Sequence, residues 1–217
     1  MTDKLMKEMF HLSFKEEVGN VISHGVMAII MLLLLPFAAV YSYITSGVLK
    51  SICVSIYVIC LFIMFLMSTF YHSMAYDSTQ KYVMRKLDYI CIFLAIAGSY
   101  TPIVLCLTKG WLRIMILLMQ WGAVVFGILL KAIAKKSYPI FTTVIYLLMG
   151  WCALLFLPTL IHSSTPLFLF FIVLGGLFYS GGIFFFAKPQ IKFFHFVWHL
   201  FINCASICHF IAIVFLM

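Results

Sequence analysis

Four histidines and an aspartate stand in, or at the edges of, stretches of chain that are otherwise apolar: His24, His72, Asp88, His195 and His199. Ionisable side chains inside membrane-length apolar segments are costly and mark functional sites by default. Histidine is also the commonest protein ligand for zinc and similar metals. His195 and His199 are four residues apart, which on a helix places both imidazoles on one face, as in helical His-x3-His zinc sites. His72, from a facing helix, would supply a third ligand and leave a fourth position to water, the pattern of catalytic rather than structural zinc. Three neutral imidazoles leave the ion's double charge uncompensated, and Asp88 is the acidic residue placed well inside the apolar body to offset it. Ser68 lies one turn before His72 on the same face and would hold a water or a substrate oxygen.

These residues need elements to position them, and composition says which kind. The 217 residues are 65% hydrophobic and 9% charged, whereas a soluble domain is about half apolar and about a quarter charged. At about 20 apolar residues per crossing, the chain is expected to form an all-α bundle of membrane spans with short loops. Charge breaks place seven spans near Val18–Tyr43, Ser51–Met74, Leu87–Leu107, Leu112–Lys131, Ile140–Ile161, Leu167–Ala187 and Phe193–Met217. Pro139, Pro166 and Pro189 are assigned to the connections, where a missing N–H does little harm. Residues 1–16 are read as a cytoplasmic or interfacial segment and residues 17–217 as the seven-helix transmembrane domain. Within that first segment, Met6, Met9, Phe10 and Phe14 would share an apolar side lying along the interface.

Orientation follows from lysine and arginine in short loops. With the N-terminus cytoplasmic, the inner side carries Lys4, Lys7, Lys15, Lys81, Arg85, Lys86, Lys131, Lys135, Lys136, Lys188 and Lys192, and the outer side only Lys50, Lys109 and Arg113. The asymmetry predicts an inside N-terminus and, with an odd number of spans, an outside C-terminus. The formal charge of +8 is then topology and attraction to anionic lipid, and does not indicate a nucleic-acid partner. No cleavable signal peptide, P-loop, dinucleotide fingerprint or hydrolase elbow is found.

Topology brings the chemistry together. His24 opens span one, His72 closes span two, Asp88 opens span three, and His195 and His199 open span seven, so all five share the inner leaflet. A histidine in a membrane helix often only bonds a neighbouring backbone or serine, and His24 alone is explained as well that way as by ligation. His209, three to four turns deeper, reads as a core hydrogen-bonding residue, and His162 and His11 as solvated or interfacial. Glu17, Asn20 and His24 form one polar stripe that either caps the inner mouth or supports the metal site from behind. Seven cysteines without a C-x2-C pair read as small apolar residues. Gly175, Gly176, Gly181 and Gly182 read as permitting close helix packing or a slight bend in span six.

Together, Glu17-x2-Asn20-x3-His24, Ser68-x3-His72, Asp88 and His195-x3-His199 make the chain resemble the hemolysin III-like bacterial branch of the progestin and adiponectin receptor superfamily, over essentially its full length. The resemblance implies zinc held by His72, His195 and His199, contact of Asp88 with the ion through water, and Ser68 in the same site. It also implies a multi-pass protein of the bacterial inner membrane. Unlike the receptor members, the chain lacks a long N-terminal region and an extended C-terminal tail, which argues against hormone reception.

Similarity of that superfamily to alkaline ceramidases suggests a zinc-dependent hydrolase of lipid amides or esters, with Asp88 as general base, Ser68 orienting the water or the developing oxyanion, and membrane lipids as substrate. One alternative is a non-enzymatic sensor or receptor-like protein in which zinc only staples helices. Another is a membrane-perturbing hemolysin, although seven apolar helices without an insertable β-segment argue against a secreted toxin. No protein partner is identifiable, and no inverted repeat points to a transporter.

Overall fold

The computed structural model describes residues 11–76, 78–133 and 138–217. Lys4, Lys7, Lys135 and Lys136, and Met6, Met9 and Phe10 of the expected interfacial side, lie outside the described residues. Seven helices are long and apolar enough to cross a membrane: α1 (Phe14–Ser46), α2 (Val48–Ser73), α3 (Thr79–Leu107), α4 (Gly110–Ile133), α5 (Pro139–Ser163), α6 (Pro166–Phe186) and α7 (Phe194–Leu216). Hydrocarbon offers no water to satisfy backbone groups, so spans of this composition close their hydrogen bonds internally as helices. Many large apolar side chains lie outermost, among them Ile29 and Leu33 on α1 and Ile114 and Leu118 on α4. Such a perimeter suits acyl chains and would be an aggregation surface in water. The protein is a multi-pass integral membrane protein.

Start signals set the helix ends. Ser13 caps α1 in a complete capping box with Glu16, and Ser78 and Thr165 cap α3 and α6. α1 and α2 are joined through Gly47, whose φ of 84° with ψ of −172° only glycine adopts readily. Pro139 and Pro166 sit inside the first turns of α5 and α6, not in the connections as expected; fixed φ and a dispensable N–H suit that position.

One span is not the continuous helix expected. α5 tightens into a 3₁₀ turn at Cys152–Phe156 ahead of Pro158. Tyr100 of α3 satisfies the backbone there: its hydroxyl donates to the Gly150 carbonyl at 2.6 Å and accepts from Ala153 N–H at 2.8 Å. α1, α2 and α3 pack extensively in sequence, as do α6 and α7, whereas α5 touches its neighbours sparsely. Gly175 admits the His209 ring so closely that a Cβ would stand 2.3 Å from it, and Gly181 and Gly182 admit Phe201. Gly176 faces open space, so its assignment to close packing is corrected.

The starts of α1, α3 and α7 and the end of α2 meet at one end of the bundle. At the other end, Lys50 at the start of α2 donates to the Met217 carbonyl, closing the C-terminus against the bundle.

Candidate metal centre

His72 lies in the last turn of α2, and His195 and His199 in the first turns of α7. One ligand atom from each lies within 4.8 Å of the other two. His72 Nε2 and His195 Nε2 are 3.3 Å apart. The other nitrogen of His72, Nδ1, is 2.5 Å from the Glu17 carboxylate. A carboxylate only accepts, so Nδ1 carries the proton and the Nε2 lone pair faces His195. Asn20 packs its amide 3.4 Å from the same Nδ1. His199 is fully buried, and neither of its ring nitrogens closes a hydrogen bond. Buried polar atoms ordinarily have partners, so imidazole nitrogens left over beside two further imidazoles fit a borderline metal ion of the zinc type.

The polar stripe on α1 backs this cluster. Glu17 reaches His72, and His24 stacks on His199 with centroids 3.7 Å apart and planes 14° from parallel. His24 Nδ1 is 2.8 Å from Ser68 Oγ, and Ser68 and Asp88 line the same cavity. When the ring is the donor in that contact with Ser68, Nδ1 carries the proton. The lone pair then lies on His24 Nε2, which has no partner. His24, Ser68, His72 and His199 are buried, as is Asp88 at 8% exposure. His209, by contrast, donates to the Ile172 carbonyl at 3.1 Å, as a core hydrogen-bonding residue would, and His162 and His11 are exposed.

A cavity of about 200 Å³ abuts the cluster. Its walls include His24, Ser68, Asp88 and Trp198 near the histidines and Tyr179 and His209 far from them. Trp198 and His209 are eleven residues apart on one helix, so the cavity runs roughly 16 Å along α7. Most of the lining is aliphatic or aromatic, with a few convergent polar groups, the usual make-up of a ligand site. His72, His195 and His199 are not part of that lining. Gly150, Trp151 and Leu154 of α5 and Val173 of α6 line the cavity and are exposed, so the cavity is open there. The gap between these sparsely packed helices therefore leads toward lipid.

Comparison with known proteins shows the family. The haemolysin-III related family profile matches residues 12–210, which contain every residue of the site. The chain belongs to that family. The "Hemolysin-3 homolog" of Bacillus subtilis (strain 168) is 29% identical over 203 residues, 94% of this chain and 95% of the relative. "Hemolysin-3" of Bacillus cereus is 29% identical over 215 residues, 99% of this chain and 97% of the relative. Human "Monocyte to macrophage differentiation factor" is 26% identical over 155 residues, 69% of this chain and 64% of the relative.

Two residues at the site went unseen in the sequence. Lys81 was counted only as loop charge, yet it is 2% exposed and donates to Glu17 at 2.7 Å. Glu16 was placed ahead of the first span, yet it is buried and accepts from the Phe193 N–H at the start of α7. A signal for Glu16 was present: Ser13-x2-Glu16 before an apolar run is a capping box, and reading it would have started the helix at Phe14.

Proposed function

We propose that this haemolysin-III family member is a zinc-dependent hydrolase of lipid amides or esters. It would work in a bacterial inner membrane with its N-terminus cytoplasmic, as the lysine and arginine asymmetry predicts. The observation that carries the reading is three mutually close imidazoles, two buried and His195 half-buried, with unpartnered nitrogens on His199, beside an apolar cavity whose wall holds Asp88 and Ser68. His72, His195 and His199 would hold the ion. Bound there, zinc supplies Lewis-acid polarisation of a carbonyl and a water acidic enough to attack near neutral pH.

The chain's own residues do the rest. Asp88 accepts the proton of the attacking water and returns it to the leaving amine or alcohol. Ser68, held by His24 and lining the same cavity as Asp88, offers its oxygen to the water. A lipid tail passes between α5 and α6 and lies along the cavity toward Tyr179 and His209, which brings the headgroup linkage to Asp88. The test is release of fatty acid from an extracted lipid mixture by the purified protein, with and without a chelator. Metal-dependent release is expected; zinc-loaded protein that releases nothing from any lipid class would overturn the reading.

A second reading has one observation in its favour: the three histidines are not in the cavity lining. Zinc would then tie α2 to α7 without turnover, and the protein would sense or adjust bilayer state. His72→Ala separates the two, since a structural ion predicts lost thermal stability in step with lost phenotype. The relatives' names raise lysis as a third reading; solute-dependent swelling of proteoliposomes holding the purified protein would support it.

A further inference from the structure

The first turn of α1 makes two contacts that its own helix does not need. Its capping box is complete within the turn: Glu16 N–H donates to Ser13 Oγ at 3.4 Å, and the Glu16 carboxylate accepts from Ser13 N–H at 3.1 Å and from the Ser13 hydroxyl at 2.7 Å. The Glu16 carboxylate also accepts from the Phe193 N–H, across to the start of α7. Phe193 is the one non-glycine residue with positive φ among the described residues, at 63°. A side chain in that left-handed region is strained, and it sits two positions before His195. Something must hold it, and Glu16 is the partner in place.

Glu17, one residue on, makes the second connection. One carboxylate oxygen faces His72 Nδ1 at 2.5 Å and the other accepts from Lys81 Nζ at 2.7 Å. Lys81 donates as well to the Met74 carbonyl, 3.2 Å away, at the C-cap of α2, and lies 5.0 Å from the Tyr71 ring. A buried lysine is expensive unless paired, and this one locks the carboxylate that sets the His72 tautomer. A carboxylate behind a ligating imidazole fixes ring orientation and raises its basicity. Just ahead of the turn, Leu12 is buried and the His11 ring meets Tyr76 edge-on, with centroids 4.4 Å apart.

We propose that Glu16 and Glu17 of α1, with Lys81 of α3, are a clamp on the metal centre, positioning residues that hold His195 and His72 in ligating geometry. Through them α1 ties together the end of α2, the start of α3 and the start of α7, the three elements that carry the ligands and Asp88. The proposal rests on the metal-binding reading above.

The test strips metal from purified full-length protein and titrates Zn2+ and Co2+ into the wild type and into Glu16→Ala, Glu17→Ala and Lys81→Met. Affinity is expected to fall on the order of 10- to 100-fold in each, with an altered cobalt visible spectrum. Lys81→Arg is expected to recover most of the loss in Lys81→Met. Ser13→Ala removes the cap but neither connection across the bundle, so it should lower thermal stability while keeping affinity and spectrum. Should an alanine variant not fold, Glu16→Gln and Glu17→Gln keep size and an acceptor but lose charge, and should show the same direction of change. Wild-type affinity and spectrum in the glutamate and lysine variants, or equal losses in Ser13→Ala, would overturn the clamp. A wild-type chain that binds neither ion would overturn the metal reading itself, and the clamp with it.

Discussion

Asp88 and Glu17 stand at different places around the histidines, and in the proposed reading one carboxylate serves the chemistry and the other the geometry. Glu17 stands behind His72 on the nitrogen that cannot face the other histidines, whereas Asp88 lines the cavity with Ser68. Removing each should therefore have a different signature. Asp88→Asn keeps size and hydrogen bonding but cannot take a proton, so it is expected to retain metal while lipid hydrolysis falls on the order of 10²- to 10⁴-fold. Side-by-side metal content and fatty-acid release check this, and loss of both together would assign Asp88 to ion retention. Ser68→Ala removes the partner of His24 Nδ1, and should reduce turnover with metal content unchanged.

At the scale of elements, apolar runs broken by charge were enough to locate seven spans, because hydrocarbon thickness dictates their length. Their interruptions were less legible. The 3₁₀ turn in α5 precedes Pro158, but whether a proline breaks a membrane helix depends on what neighbours supply. Pro36 and Pro102 lie inside intact α1 and α3, while Tyr100 satisfies the loosened backbone of α5. Tyr100→Phe is expected to leave that carbonyl and N–H unpaired, at about 1–3 kcal/mol, read as a lower midpoint in thermal unfolding. Gly175→Ala would drive a methyl group into the His209 ring and should cost about 1–3 kcal/mol. The same assay with Gly176→Ala, which meets nothing within 4 Å, should show little change. In the site, spacing on one helix gave His195 with His199, and charge asymmetry put His72 at their depth. Lys81 escaped because its value lies in a contact with Glu17, 64 residues away in the chain, and no local pattern encodes that.

For the whole molecule, the polar chemistry gathers at the end of the bundle where α1 begins, and the apolar cavity extends from it toward the middle of the membrane. Cysteine-accessibility labelling in intact cells tests the orientation: a cysteine near residue 11 should be shielded from a membrane-impermeant reagent, and one at residue 164 labelled. Labelling in the opposite sense would put the site in the outer leaflet and reverse the proposed lipid source. The central claim, that His72, His195 and His199 form a metal centre, is tested most directly by elemental analysis of purified protein. About one equivalent of zinc per chain is expected in the wild type, falling close to zero in His72→Ala, His195→Ala and His199→Ala with helical content retained. A wild-type chain without metal above background, or histidine variants that hold as much as the wild type, would contradict the account.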